Sequence, residues 1–254
     1  MEAMEAIDLE QAQLWYEKGI EYITKGNLDE VERCFTAALY YNPNFAEVHN
    51  AIGLILLRIE KYPGAIQLFD SALAMNLNFA EAYSNRALAR SKICHKTEFN
   101  LLLDDLNKAI SLKPDLAEAY FNRAWVHKAF LIDNQAAIQD YNQAISINPE
   151  YIEAYLHRGD TYFLSGELEE SIQDFDKALA LDTDYVEAYR SRGVARFQLG
   201  DVDGAKDDLF KAFDLFYAQN NIVHCVFTRS VIMRLFPDYE IYKHLFGVEN
   251  KMAT

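Results

Sequence analysis

The stretch IEAYLHRGDTYFLSGELEESIQDFDKALALDTDY, residues 152–185, contains two helical patterns separated by a break. Ala154, Tyr155, Arg158, Gly159 and Tyr162 recur at steps of three and four, which puts them on one helical face. Ser165-Gly166-Glu167 interrupts the run, and Gly166 can take the left-handed conformation that ends a helix. Leu168, Ile172, Phe175, Ala178 and Leu179 then start a second pattern, which Asp182-Thr183-Asp184 ends. The stretch predicts helix, tight turn, helix, tight turn. Gly159 and Ala178 allow two helix axes to approach, with Tyr155, Tyr162 and Phe175 filling the space beside them. One such hairpin cannot bury its apolar face alone, so neighbouring hairpins must stack.

The same pattern recurs along the chain. Ala38, Ala72, Ala109, Ala144, Ala178 and Ala212 mark copies spaced 34, 37, 35, 34 and 34 residues apart. The repeats fall at 12–45, 46–79, 80–116, 117–151, 152–185 and 186–219, after a lead-in at 1–11. The three extra residues of the third repeat and the one of the fourth fall near Cys94-His95-Lys96-Thr97 and Ile132-Asp133, between paired helices. Arg86, Arg123, Arg158 and Arg192 hold the seventh place of their repeats, and Asp105, Asp140, Asp174 and Asp208 the twenty-third once the inserted residues are left out of the count. In the second repeat these places hold Ile52 and Leu68. Charge accompanies charge, which predicts a partly buried arginine–aspartate contact between paired helices.

Trp15, Gly19, Tyr22, Phe35, Ala38 and Pro43 in the first repeat, with their counterparts later, resemble the tetratricopeptide repeat family, whose pattern is W-x2-L-G-x2-Y, A-x3-F, A, P. His49 stands in place of the large aromatic residue, and Leu77, Thr183 and Tyr217 in place of the terminal proline. The resemblance implies an all-α, right-handed α-solenoid of six helix-turn-helix units. After residue 219 the repeat fails. An apolar helix from Ile222 to Phe236 and a short one carrying Tyr239, Tyr242, Leu245 and Phe246 are expected to cap it across 220–254. Either the last helix folds back over the apolar one, or another subunit covers it.

With 39 acidic against 24 basic residues the formal charge is −15, which disfavours nucleic acid and anionic membranes as partners. No apolar run is long enough to span a membrane, and the acidic start does not read as a secretory signal. Three dispersed cysteines fit reduced thiols in the cytoplasm rather than a disulfide framework or a zinc site. No nucleotide-binding, hydrolase or metalloprotease motif is present, so the reading is non-catalytic, with no metal and no cofactor.

In this family places 2, 5, 9, 12 and 13 of the first helices line a concave face, and helical spacing agrees. Here the resemblance implies a groove containing Tyr16, Ile20, Leu54, Glu81, Leu88, Glu118, Phe121, Trp125, Glu153, Leu156, Phe163, Glu187 and Phe197. Apolar anchors beside glutamates suit a protein or peptide segment carrying apolar and basic residues. The aromatic residues from Phe121 to Phe197 are expected to carry most of the binding, with Trp125 removable at little cost in stability. A register of lysine, asparagine and arginine able to grip a free carboxylate is missing, although Asn85 and Asn122 match isolated positions. The alternative is a self-assembling subunit that dimerises through its apolar C-terminal helices.

Overall fold

The structure, a computed structural model, describes residues 2–93 and 99–237, with side chains described from Asp8 onward. Packing divides the chain into two units, Met1–Asp133 and Asn134–Thr254. The first holds α1 (Glu2–Thr24), α2 (Leu28–Tyr41), α3 (Ala46–Arg58), α4 (Tyr62–Met75), α5 (Ala80–Ser91), α6 (Phe99–Leu112) and α7 (Ala117–Val126). The second holds α8 (Asn134–Ile147), α9 (Ile152–Ser165), α10 (Leu168–Leu181), α11 (Val186–Leu199), α12 (Val202–Ala218) and α13 (Ile222–Leu235). No strand occurs among the described residues. Each unit is a stack of helical hairpins, as in an α-solenoid, and the division falls between the two helices of the fourth repeat. The expected lead-in is part of α1, and the expected final helix at 239–246 lies outside the described residues.

The turns that close the second and fifth repeats form without proline. The side-chain oxygens of Asn42, Asn76, Asn148 and Asp182 accept hydrogen bonds from the backbone N–H two residues on, at 3.1, 3.0, 3.1 and 2.9 Å. These side chains mimic a backbone turn, so Leu77 and Thr183 replace proline without loss of the corner. The third repeat has Lys113 there but keeps Pro114, whereas the sixth, with Phe216 and Tyr217, has neither the acceptor nor the proline. There α12 runs on to Ala218 and stops only at Asn220, whose φ of 54° is left-handed.

The extra residue of the fourth repeat is absorbed before the turn rather than in it. His127–Leu131 forms a π-helical turn that continues α7. A π turn is how one inserted residue fits a helix without breaking it. Ile132, 82% exposed, then closes the helix at φ 55°. The insertion around Cys94 to Thr97 lies outside the described residues.

Inside each hairpin the helices cross at a small residue. A β-carbon on Gly159 would stand 2.7 Å from Phe175, and one on Gly53 would stand 2.6 Å from Phe69. Where alanine replaces this glycine in the third repeat, Ala87, the facing ring is replaced by Leu106, and both are buried. Ala144 and Ala178, on the second helices, are fully buried.

Arginines tie the hairpins together. Arg158 donates to both carboxylate oxygens of Asp174 at 2.8 and 2.6 Å, and to Asn142 Oδ1 of the preceding repeat at 2.6 Å. Arg192 does the same with Asp208 and Asp176, and Arg86 with Asp105 and Asp70. Each guanidinium also lies over a tyrosine of its own helix, Tyr83, Tyr155 or Tyr189, at 5.3 to 5.6 Å. One residue therefore joins three helices. Burial pushes the Asp174 carboxyl above its ordinary range, and the hydrogen bonds and charge of Arg158 pull it back only in part. The net worth of such a pair is small, while stranding one partner is costly.

Three stability changes follow. Gly159→Ala costs about 1–3 kcal/mol by overpacking, and adding Phe175→Leu recovers part of it in a urea titration. Ile132→Gly stabilises by about 1 kcal/mol, because a β-branched residue leaves the left-handed region and loses little packing. Asp174→Leu alone costs about 3–5 kcal/mol, and Arg158→Ile added to it restores most of that, since Ile52 and Leu68 already hold these places in the second repeat. A double-mutant cycle without coupling would remove the arginine from this role.

Candidate functional site

Each first helix presents one face to its own second helix and another toward the first helices beside it, with α5 touching α3 and α7, and α9 touching α11. The anticipated groove residues fall in both units. Tyr16, Ile20, Leu54, Glu81, Leu88, Glu118, Phe121 and Trp125 belong to the first, and Glu153, Leu156, Phe163, Glu187 and Phe197 to the second.

In the first unit the surface character varies with depth. Ile20 and Leu54 are each 37% exposed. Tyr16 is half-buried, its ring centroid 5.3 Å from that of Phe45, while Leu88 and Phe121 are half-buried and Glu118 is exposed. Glu81 is already engaged: Lys113 donates to it at 2.6 Å. Burial raises the Glu81 carboxyl, but the hydrogen bond and charge of Lys113 outweigh it and leave it below the ordinary range. Trp125 is half-buried, edge-on to Phe130 at 5.5 Å and packed on the Leu102 and Leu106 cluster. It is thus part of the core as well as of the surface, so truncating it lowers stability, contrary to the sequence expectation.

The asparagines have internal partners. Asn85 donates to Asn50 Oδ1 at 2.9 Å, and Asn122 donates to Ser84 Oγ at 3.1 Å. These bonds stitch each first helix to the one before it, so neither amide is arranged for a ligand carboxylate.

The second unit holds a defined concavity. Asp160, Phe163, Arg190, Val194, Phe227 and Arg234 line a cleft of about 220 Å³ between α9, α11 and α13, with buried Phe175 also contributing to its lining. Arg190 places its guanidinium 5.3 Å from the Phe227 ring. Phe163, an anticipated anchor, is half-buried here. Glu153 is exposed and Glu187 half-buried. Leu156, by contrast, is 7% exposed and belongs to the core with Phe175 and Ala178, so it is not a surface anchor. Phe197 is half-covered by α13, edge-on to Phe236 at 5.4 Å. In the sequence the helix from Ile222 reads as a cap, with nothing to place it beside α9 and α11.

Among the described residues no three side chains cluster to hold a metal ion. Cys34 and Cys225 are buried, and burial pushes both thiols up, away from the reactive thiolate. Cys94 and His95 lie outside the described residues. No described helix is long and apolar enough to cross a membrane.

Known proteins share this pattern. A family model described as a tetratricopeptide repeat matches residues 16–85, and one described as a TPR repeat matches 133–166 and 159–200. The crystal structure of MamA is 27% identical with a TM-score of 0.56, covering 67% of this chain and 97% of its own. YrrB, described as a TPR protein with an unusual peptide-binding site, is 20% identical with a TM-score of 0.55, covering 77% of this chain and 97% of its own. A thermophilic TPR protein from Thermus thermophilus is 22% identical with a TM-score of 0.62, covering 74% of this chain and 99% of its own. The last two show likeness of fold alone.

Proposed function

The chain belongs to the tetratricopeptide repeat family, a family of protein-interaction scaffolds, and from that premise we propose that it is a non-catalytic adaptor that holds a segment of a partner protein against its first helices. The observation that carries this reading is the cleft between α9, α11 and α13. Its aromatic lining, from Phe163 and Phe227, suits one apolar side chain of the partner. Arg190 and Asp160 at the same cleft would fix polar groups of the segment. Glu153, exposed in the same unit, would meet its basic residues, in keeping with the net charge of −15. That electrostatic part weakens with salt, and the apolar part persists. The peptide-binding description of YrrB is in keeping with this use of the fold. The cytoplasm is the proposed location.

A second reading, self-assembly, draws on α13. Ile222, Val223, Val226 and Phe227 are 67, 76, 61 and 55% exposed, an apolar face at the end of the last described helix.

The two readings separate by experiment. A partner isolated by affinity capture is titrated against the wild type, Phe227→Ala and the pair Val223→Asp, Val226→Asp, with sedimentation of each protein alone. The scaffold reading expects Phe227→Ala to weaken binding about tenfold or more with little change in Tm, and the valine pair to leave it unchanged. Self-assembly wins if the valine pair converts a dimer to a monomer while Phe227→Ala leaves partner binding intact.

A further inference from the structure

The junction of the first two repeats breaks the arginine pattern at three places together. Ile52 stands where later repeats have Arg86, Arg123, Arg158 and Arg192. Leu68 stands where they have the paired aspartate. Thr36 stands where the preceding repeat elsewhere supplies Asp70, Asn107, Asn142 or Asp176. With no guanidinium laid across α2, an apolar cleft of about 240 Å³ remains between α2 and α3, lined chiefly by Leu28, Val31, Phe35, Leu39, Ile52 and Ile55. Ile52 and Ile55 lie on the opposite side of α3 from the groove positions Asn50 and Leu54, at 100° per residue.

We propose that this cleft is a second docking site, on the side of the second helices, for a basic amphipathic segment of another protein. Its volume is below the roughly 300–1,000 Å³ of small-molecule pockets and matches one or two apolar side chains. The rim decides the charge of the occupant. A shallower depression lined by Asp29, Glu32, Arg33, Thr36, Ala37 and Tyr40 adjoins it, sharing Glu32 and Thr36. Arg33, the cation there, is held by Glu30 at 2.8 Å, which leaves Asp29 and Glu32 facing the approach. Leu28 is 59% and Tyr40 80% exposed, so the edge is both apolar and negative. A segment with leucine- or phenylalanine-sized anchors flanked by lysine or arginine satisfies both features.

The test uses the full chain with isoleucine methyl groups labelled for NMR, and two synthetic helical peptides, one of leucine and lysine, one of leucine and glutamate. The leucine–lysine peptide is expected to shift the Ile52 and Ile55 methyl signals, and the leucine–glutamate peptide is not. The triple substitution Thr36→Asp, Ile52→Arg, Leu68→Asp, which installs the arginine contact of the later repeats, should weaken this binding about tenfold or more. Phe227→Ala, in the groove cleft of the other unit, should leave it unchanged. If the triple variant does not fold, Leu28→Ser serves in its place. Unmoved Ile52 and Ile55 signals at saturating peptide, equal shifts with the acidic peptide, or undiminished binding by the variants would overturn the proposal. Shifts that arise from raising the protein concentration alone would replace the partner with a second copy of this chain.

Discussion

Phe175 occupies the space that a β-carbon on Gly159 would take, and the rest of the architecture depends on contacts of this kind. A hairpin of two short helices has too little apolar surface to hold itself together unless its axes approach closely. The missing side chain at the crossing allows that approach. It turns the outer faces of both helices toward the next hairpin, and those faces then need neighbours. The arginine contacts come after this step: they fix the spacing between hairpins already driven together by apolar burial.

Much of this was legible in the sequence because it repeats. Gly159 with Phe175, and Arg158 with Asp174, recur in register often enough that their partnership can be read from spacing. The third corner of the arginine contact was harder to see. Asp70, Asn107, Asn142 and Asp176 differ in charge and share only an acceptor oxygen, so a reading of charge passes over them. Proline marks the end of three repeats in the sequence, whereas Asn42, Asn76, Asn148 and Asp182 make the hydrogen bond that shapes four of the turns, a role that spacing alone does not reveal. The single inserted residue of the fourth repeat was placed in the turn. A helix can take it up as one wider coil, and spacing alone does not distinguish the two.

The candidate site was legible in direction but not in depth. Helical spacing placed Leu156, Phe163 and Trp125 on one side of their helices. Leu156 nevertheless sits at the seam where α9 meets its neighbours, and there a leucine is core. Trp125 is large enough to serve the core and the surface at once. The helix from Ile222 was legible as a cap, but its place beside α9 and α11 was not, because nothing in its own residues repeats the register of the first helices.

The arginine contacts have a consequence for the order in which the chain assembles. Arg158 and Asp174 are 16 residues apart, as are Arg192 and Asp208, and Arg86 and Asp105 are 19 apart. Every one of these bonds can therefore form after closing a short loop, without waiting for distant segments to meet. Folding under such local contacts is fast and can begin at any hairpin, spreading outward by nearest-neighbour docking. Opening runs by the same rule in reverse. The hairpin of α1 and α2 meets α3 without an arginine across the boundary, so it exchanges its amide hydrogens sooner than hairpins fastened on both sides.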